Sequence, residues 1–363
     1  MSGRPPHDVY RNLLLRERHG YPLWIPESDY NLPDVYRDKG VSVGDLGILT
    51  DDGGFDFLFN VCAEADDPVN RGRVPPQFQP LRISYGSSHP IRKIPYHCRN
   101  SSITSADVSK TEFTVEGSAQ ITPFVSGGGG FEFSLQSAEA AILMLPDGGN
   151  RYSTTHRALF EQYAIENGHS WYVYVNSLEY LARQAPNGSL YLVTGCDKAK
   201  TWMIAAASRP SKSRAISVRF AIGPIMEGKI ALQTSWSTPH SASAARIYPD
   251  YPDPLPQHDN QCIFMRGFTI TVRESSITQK LFGRIRVKAI GGSSSNAAPT
   301  FSSRSPYSSY QGNITGTPGS GVLPSTSPVD NFDMPDYLTN EDPKSLLEDN
   351  RTHGSTWQEH RGI

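Results

Sequence analysis

The sequence lacks long apolar runs, paired cysteine motifs and a strong charge of either sign. No stretch approaches the roughly 18 apolar residues that a membrane-spanning helix needs, and the N-terminal "MSGRPPHDVYRN" has no apolar signal core. The cysteines are scattered, and none has the Cys-x-x-Cys spacing of a zinc or redox motif. We therefore predict a cytoplasmic protein with four reduced thiols, at Cys62, Cys98, Cys196 and Cys262.

Charged residues are also scarce in this sequence. Lys, Arg, Asp and Glu make up 19% of the 363 residues, and the formal net charge is −2. A general nucleic-acid binder needs a basic face, so we expect no nucleic-acid partner. A local basic group leaves two interpretations open, a solvated strand edge or a site for anionic lipid headgroups. Its residues are Arg209, Lys212, Arg214 and Arg219, and a second such group consists of Lys280, Arg284, Arg286 and Lys288.

The composition changes near residue 291. The stretch that begins "GGSSSNAAPTFSS" is rich in Ser, Gly, Pro and Thr. It holds too little apolar surface to offset the conformational entropy lost on ordering. We predict one globular domain at residues 1–290 and a disordered tail at residues 291–363.

The stretch "GDLGILTDDGGFDFLFNV" places two acidic residues and two glycines between two apolar runs. Phe55, Phe57 and Phe59 recur with period two, which is typical of a strand. A calcium loop would need acidic residues at alternating positions, and a phosphate loop would need a lysine after the second glycine. Neither pattern is present, and Asp and Gly accept the positive φ of a tight bend. We interpret Asp51 and Asp52 as part of a hairpin turn, not a ligand site.

Residues 113–144, "FTVEGSAQITPFVSGGGGFEFSLQSAEAAILML", predict an amphipathic hairpin with the four glycines as its bend. Each arm is about ten residues long, the length with which a strand crosses a bilayer. The same pattern is typical of a half-buried hairpin in an ordinary sheet. Both interpretations stay open at this stage. The apolar positions that would contact lipid are Phe113, Val115, Ile121, Phe131, Phe133 and Leu135.

Helical patterns are few. Residues 6–18 have one apolar face. "STTHRALFEQYAIENG" and "SWYVYVNSLEYLARQ" predict two helices, of which the first begins at Ser153 or Thr154 and ends at Asn167–Gly168. Strand patterns fill most of the remainder. The predicted fold class is α+β, with a twisted, mostly antiparallel sheet, a few packed helices and a disordered C-terminal tail.

Cys196 is the best candidate for a nucleophile. It lies in "VTGCDK" at the predicted end of an apolar strand, and a lysine neighbour such as Lys198 lowers the pKa of a thiol. A cysteine hydrolase also needs a positioned histidine. His156, His169 and His240 lie in no recognisable second motif, so catalysis by Cys196 is the weaker interpretation.

Other catalytic and cofactor motifs are missing from the sequence. There is no Gly-x-Ser-x-Gly elbow, no His-Glu-x-x-His pair and no glycine-rich dinucleotide fingerprint. His97–Cys98 would be half of a metal site, but no matching second pair follows. We expect no metal, no cofactor and a non-catalytic protein rather than an enzyme.

Three blocks, "YPLWIPE", "GDLGILTDDGGFDFLFN" and "SLYLVTGCDKAKTW", resemble recurring blocks of a large uncharacterised protein family in mushroom-forming fungi. They cover much of residues 21–202. This resemblance implies no particular chemistry.

The order of predicted elements over residues 1–290 is similar to that of the gasdermin pore-forming domain. This resemblance is one of topology and rests on no diagnostic motif. It implies a protein that oligomerises with itself and inserts two hairpins into an anionic membrane, one from residues 113–144 and one from residues 189–236. It also implies release of the tail by a protease, although this tail is too polar and short to be a gasdermin inhibitory domain. Lipid contact would come from a basic first helix, through Arg11, Arg16 and Arg18.

Two functional hypotheses follow. The first is a non-catalytic cytoplasmic effector that binds or perforates membranes in the gasdermin manner and becomes membrane-associated on activation. The alternative is a soluble protein- or ligand-binding module without membrane activity. A hydrolase that uses Cys196 is a distant third.

Overall fold

Strands dominate the fold of this computed structural model, as the frequent two-residue alternation predicts. They account for 45% of the structure and helices for 17%. The described residues all belong to one compact unit, Met1–Ala297. The predicted tail and the basic residues Arg209, Lys212 and Arg214 lie outside the described residues. Those residues are 4–83, 90–122, 125–208, 216–223, 231–237, 243–250, 257–273 and 284–290.

The described helices are short except for the last. They are α1 (Pro6–Leu14), a 3-10 helix (Leu15–Glu17), α2 (Asp34–Lys39) and α3 (Arg157–Asn176). The strands of the first half are β1 (Tyr21–Pro22), β2 (Asp45–Leu49), β3 (Phe55–Asn60), β4 (Ile91–His97), β5 (Ser101–Thr104), β6 (Val108–Thr122), β7 (Val125–Leu135), β8 (Glu139–Leu145) and β9 (Gly149–Thr154). The strands of the second half are β10 (Leu190–Ala199), β11 (Trp202–Ser208), β12 (Ile216–Ile222), β13 (Leu232–Trp236), β14 (Ser243–Tyr248), β15 (Gln261–Arg273) and β16 (Arg284–Ile290).

The strands form three antiparallel sheets, where the sequence predicted one. The large sheet has eight strands and the order β1-β15-β10-β2-β3, with β16 beside β15, β9 beside the second half of β10, and β4 beside β9. The middle sheet has the order β14-β11-β8-β5, and the outer sheet has the order β13-β12-β7-β6. The α+β class therefore holds in its coarse form, a mostly antiparallel β-structure with few helices.

Helix α3 covers one face of the large sheet. Its buried aromatic residues, Phe160, Trp171 and Tyr174 among them, pack with apolar residues of β2, β10 and β15. The prediction of two helices is wrong, because α3 continues through Asn167 and Gly168. Gly168 is buried, and the Asn167 side chain donates a hydrogen bond to the Tyr163 carbonyl at 2.9 Å. Packing against the sheet thus outweighs the low helix propensity of this pair.

The start of α3 also differs from the prediction. Ser153 and Thr154 belong to β9, and His156 precedes the first helical residue. The predicted second helix included Leu178, but α3 ends at Asn176 and the Leu178 side chain is 91% exposed. Helix ends depend on neighbouring elements, and here the pairing of β9 with β10 determines where the chain leaves the sheet.

The middle sheet is buried on both faces. One face packs against α1, where Val9, Tyr10 and Leu14 contact alternate residues of β8 and β11. The opposite face packs against the outer sheet. This double burial explains why β8 and β11 are apolar throughout instead of alternating, except at their paired end residues Glu139 and Ser208.

The "DDGG" segment is a turn, as the sequence predicts. β2 and β3 pair antiparallel on either side of it, and the Gly53 amide donates to the Thr50 carbonyl at 3.0 Å. Gly53 has a φ of +87°, which favours glycine. The Asp52 carboxylate accepts a hydrogen bond from the Thr50 hydroxyl, so its role is within the turn.

Candidate functional site

Two hairpins that lie far apart in the sequence form the outer sheet. β6 pairs with β7, β12 pairs with β13, and β7 pairs with β12 to join the hairpins. The predicted hairpin at residues 113–144 is therefore present in its first part, whereas β8 leaves it for the middle sheet. Of the second hairpin predicted at residues 189–236, only β12 and β13 lie in the outer sheet, because β10 and β11 belong to the other two sheets.

The outer sheet has one apolar and one polar face. Phe131, Phe133 and Leu135 of β7 are buried against the middle sheet, as are alternate residues of β12. On the opposite face, the Arg219 Nε donates to Glu132 Oε2 at 2.9 Å. The strands β7, β12 and β13 share this alternation, so these three strands of the outer sheet are amphipathic.

Phe113 lies on the face opposite to Phe131. Directly opposed residues of an antiparallel pair share a face, and Phe113 opposes Gly130 while Glu112 opposes Phe131. The Arg219 guanidinium carbon lies 5.9 Å from the Phe113 ring centroid, on the polar face. The prediction of one apolar face for both arms is therefore wrong. The register between the strands fixes the faces, and alternation within each strand does not reveal that register.

The four glycines do not form the predicted bend. β6 ends at Thr122 and β7 begins at Val125, so Gly129 and Gly130 lie inside β7. A Cβ atom on Gly130 would lie 2.2 Å from the Phe220 carbonyl oxygen and 2.7 Å from Cζ of Phe113. Glycine is needed here because a neighbouring strand and an aromatic ring approach the backbone closely.

The candidate lipid-contact residues fall into three groups. Arg11 of α1 forms an ion pair with Asp8 at 2.7 Å. Arg16 and Arg18 are exposed on the 3-10 helix and at its end. Val115 and Ile121 lie in β6, and the structure describes their backbone but not their side chains. Among the described residues, Arg16 and Arg18 are therefore the exposed arginines of the candidate lipid-contact set.

Cys196 lies inside β10, not at its end. β10 continues to Ala199, and the Cys196 side chain is fully buried among apolar residues of the large sheet. Its thiol donates to the Val41 carbonyl at 3.4 Å. Among the hydrogen bonds of the described residues, none joins this thiol to a histidine. His156 precedes α3, His169 is exposed on α3, and His240 lies outside the described residues.

The next residue, Asp197, forms the centre of a buried charge cluster. Arg151 donates to it from Nε at 2.9 Å and from its terminal nitrogen at 2.8 Å. Arg266 donates at 2.8 Å, and His97 Nε2 lies 3.0 Å from the carboxylate. Burial alone would raise the pKa of Asp197, but the hydrogen bonds from His97 and Arg151 and the charge of Arg266 outweigh it and lower the pKa to about 2. Asp197 is therefore a permanent carboxylate at neutral pH.

His19, His97 and Asp197 offer possible metal ligands within 4.8 Å of one another. Two guanidinium groups already bind the carboxylate, however, and their positive charges repel a divalent cation. We assign this cluster a structural role that joins β4, β9, β10 and β15.

A cleft of about 320 Å³ opens beside the following residue of β10, Lys198. The Lys198 side chain is almost fully buried. Its ammonium donates to the Lys39 carbonyl at 2.7 Å and reaches the Ser42 hydroxyl at 3.4 Å. The residues of this Lys198 cleft that bear on function are Lys39, Ser42, Lys93, Tyr152, Lys198 and Asp259.

Asp259 is held on the cleft wall by three donors. Asn150 Nδ2 lies at 2.6 Å, the Tyr152 hydroxyl at 3.1 Å and the Lys93 ammonium at 3.3 Å. Burial raises the pKa of Asp259, but the Asn150 hydrogen bond and the Lys93 charge outweigh this effect and lower it. The carboxylate is thus already neutralised by its own partners.

A partial signal for this cleft is present in the sequence. Asp197 and Lys198 are two charges within the otherwise apolar run "LYLVTGCDKA", and charges inside a buried strand require partners. In the sequence both residues stand out only as neighbours of Cys196. Lys93, Tyr152 and Asp259 were missed because they come from β4, β9 and the segment before β15, which only the folded chain brings together.

No protein-family model and no curated protein matches the chain. The resemblances to the fungal family and to gasdermins therefore stay predictions. No helix of the described residues has both the length and the apolar character needed to cross a membrane.

Proposed function

We propose that the protein is a non-catalytic effector that acts on membranes by releasing its outer sheet. The observation that carries this proposal is the joining of two separate hairpins, β6–β7 and β12–β13, into one sheet in which β7, β12 and β13 are amphipathic. Such a sheet has an apolar face for lipid and a polar face for water. The predicted resemblance to gasdermins, in which hairpins enter a membrane, suggests the same action.

The two sides of the interface between the outer and middle sheets differ in the size of their side chains. The outer sheet contributes large residues such as Phe131, Phe133 and Phe220. The middle sheet opposes them partly with small residues, Ala140 and Ala205 among them. Large aromatic groups suited to lipid contact thus belong to the part that would move, whereas the part that would stay contributes alanines together with Ile142 and Met144.

Release into water would be unfavourable. Exposing one buried large apolar side chain costs about 1.5–3 kcal/mol, and several such side chains line the inner face. Lipid offers the same side chains an apolar environment, so release is favourable only at a membrane. The proposal therefore describes a latent protein rather than one that opens freely.

Two charged residues on the inner side of β6 fit the membrane boundary. Lys110 and Glu112 oppose Phe133 and Phe131 in the register, and both are exposed. They lie in the first half of β6, close to the link with β5. At this end of the hairpin a long lysine side chain reaches the headgroup region while its stem stays in lipid. The exposed Arg16 and Arg18 would add attraction to anionic headgroups.

The test is dye release from vesicles that contain anionic lipid, with the full chain compared with a chain that ends at Ala297. Release by the shortened form, together with self-association on the vesicle, would support a latent effector whose C-terminal segment, removed by a protease, restrains it. If neither form releases dye while both remain folded, the membrane proposal is wrong.

Two aspartate variants of the shortened form sharpen this test. Val218→Asp places a charge on the inner face of β12, where it would oppose lipid contact and abolish release. Ser235→Asp places the same charge on the polar face opposite Arg219 and should leave release unchanged. Equal release by both variants would contradict the assigned faces.

A ligand-binding module is the second candidate function, and the Lys198 cleft favours it. Its volume of about 320 Å³ is at the lower end of the range for small-molecule sites. This function requires no rearrangement of the outer sheet. Binding of a small ligand without any effect on vesicles would favour it over the membrane proposal.

A further inference from the structure

Lys198 is a buried cation without an acidic partner. Its side chain is 5% exposed, and no carboxylate of the described residues forms an ion pair with it. Its ammonium donates a hydrogen bond to the neutral carbonyl of Lys39 and lies 3.4 Å from the Ser42 hydroxyl. Burying a charge is costly unless hydrogen bonds and an opposite charge compensate it, so the site has capacity for an anion.

Three acidic side chains near Lys198 in the described part of the chain already have other partners. Asp197 accepts hydrogen bonds from Arg151 and Arg266. Asp45 accepts from the Ser42 amide at 2.7 Å and from the Asn60 amide group at 2.7 Å. Asp259 is held by three donors of its own, as described above. These carboxylates cannot turn to Lys198 without leaving other buried groups unpaired.

A second ammonium lies on the same cleft. The Lys93 Nζ is 5.2 Å from the Tyr152 ring centroid, and the Lys198 Nζ is 5.1 Å from the same centroid. One phenol ring thus positions both cations. Lys39 also lines the cleft, so three lysines face two acids, Asp38 and Asp259. The excess positive charge favours an anionic ligand.

Apolar groups complete the wall. Val43 and Ile91 line the cleft beside the lysines. A free halide or sulfate would leave these surfaces without a partner, whereas an organic group attached to the anionic head would cover them. The volume of about 320 Å³ limits the ligand to a small molecule.

We propose that the Lys198 cleft binds a small organic anion, a carboxylate or a phosphate monoester, with its charged oxygens on Lys198 and Lys93. Both head groups accept several hydrogen bonds from ammonium donors, and lysine binds either one as a point charge. The inference concerns the large sheet alone and does not depend on membrane action by the outer sheet.

The test uses the full chain and three probes, butyrate, glycerol phosphate and inorganic phosphate, titrated at constant ionic strength against a chloride reference. Calorimetry or chemical-shift changes would report binding. Saturable binding of butyrate, of glycerol phosphate or of both supports the proposal, and the stronger probe identifies the head group. Absence of saturable binding by both organic probes, or tighter binding of inorganic phosphate than of either, overturns it.

Variants locate the site. Lys198→Met keeps the length of the side chain and removes its charge, and it should weaken binding by about tenfold or more. Lys93→Gln changes a side chain that is 55% exposed, so it should fold normally and weaken binding several-fold. Lys110→Gln on the outer sheet is the matched control and should bind as the original chain does. If Lys198→Met fails to fold, Lys93→Gln still decides the question, and unchanged affinity in that variant overturns the proposal.

Discussion

Arg151 binds both carboxylate oxygens of Asp197, from Nε at 2.9 Å and from its terminal nitrogen at 2.8 Å. The two residues oppose each other directly in the pairing of β9 with β10. Asp197 is fully buried, so this two-point contact lies in a medium of low dielectric constant. It fastens β9, and through it β4, to the centre of the large sheet.

Replacing Asp197 with Asn should destabilise the protein by about 3–5 kcal/mol, because removal of one partner leaves buried charges uncompensated. Arg151 and Arg266 would lose their shared counter-ion. Unfolding in urea, followed by circular dichroism, measures this loss. Glu64→Gln is the control, since Glu64 and its partner Arg82 are both exposed and should contribute little. Equal stability of the Asp197→Asn and Glu64→Gln variants would contradict the structural role of the cluster.

Asp45 should make the free energy of unfolding depend on pH, with a sign opposite to the effect of Asp197. Burial raises its pKa to about 6 in the folded state, whereas an unfolded Asp has a pKa of about 3.9. Between these values the folded protein binds more protons than the unfolded chain, so this group's contribution to stability falls as the pH rises from about 4 to 6. Asp45→Asn should remove that slope.

Unfolding free energies measured across this pH window test the Asp45 prediction. Asp51→Asn in the exposed hairpin turn serves as the control and should keep the original profile. The low pKa of Asp197 acts in a separate range, because its stabilisation is complete above about pH 4 and is lost as the pH falls towards 2. A profile for Asp45→Asn that parallels the original would show that another group is responsible.

Tyr172 connects α3 to the large sheet through its hydroxyl. The hydroxyl donates to the Ile270 carbonyl at 2.7 Å and accepts from the Gly188 amide at 2.7 Å. Tyr172→Phe should cost about 1–3 kcal/mol, because these backbone groups would lose a buried partner. Thermal unfolding measures the effect. Tyr180→Phe is the matched control, as the Tyr180 side chain is 45% exposed; a comparable loss in both variants would count against the specific role of Tyr172.

Gly130 should tolerate no side chain. Its Cβ would lie 2.2 Å from the Phe220 carbonyl oxygen, whereas the Cβ of Gly129 would lie 3.2 Å from the Phe113 carbonyl oxygen. Gly130→Ala should therefore separate β7 from β12 and destabilise the outer sheet by about 1–3 kcal/mol. Gly129→Ala should have a smaller effect. Amide hydrogen exchange of β7 and β12 distinguishes the two, and equal protection in both variants would contradict this close approach.

Several elements were predictable because their signals are local. The β2–β3 hairpin follows from period-two alternation around Asp and Gly, and the structure confirms it. The apolar face of α1 follows from helical periodicity. The end of the predicted helix at Asn167–Gly168 was wrong, because burial of α3 against the sheet overrides a local stop signal.

The richness in strands, the turn at "DDGG" and the amphipathic character of β7 follow from local sequence, since each depends on residues within a few positions of one another. Tertiary packing places Phe113 and Phe131 on opposite faces. It alone brought Lys93 and Lys198 to one cleft. Strand register and contacts between distant segments depend on packing across the whole core, and no local pattern encodes which strands become neighbours.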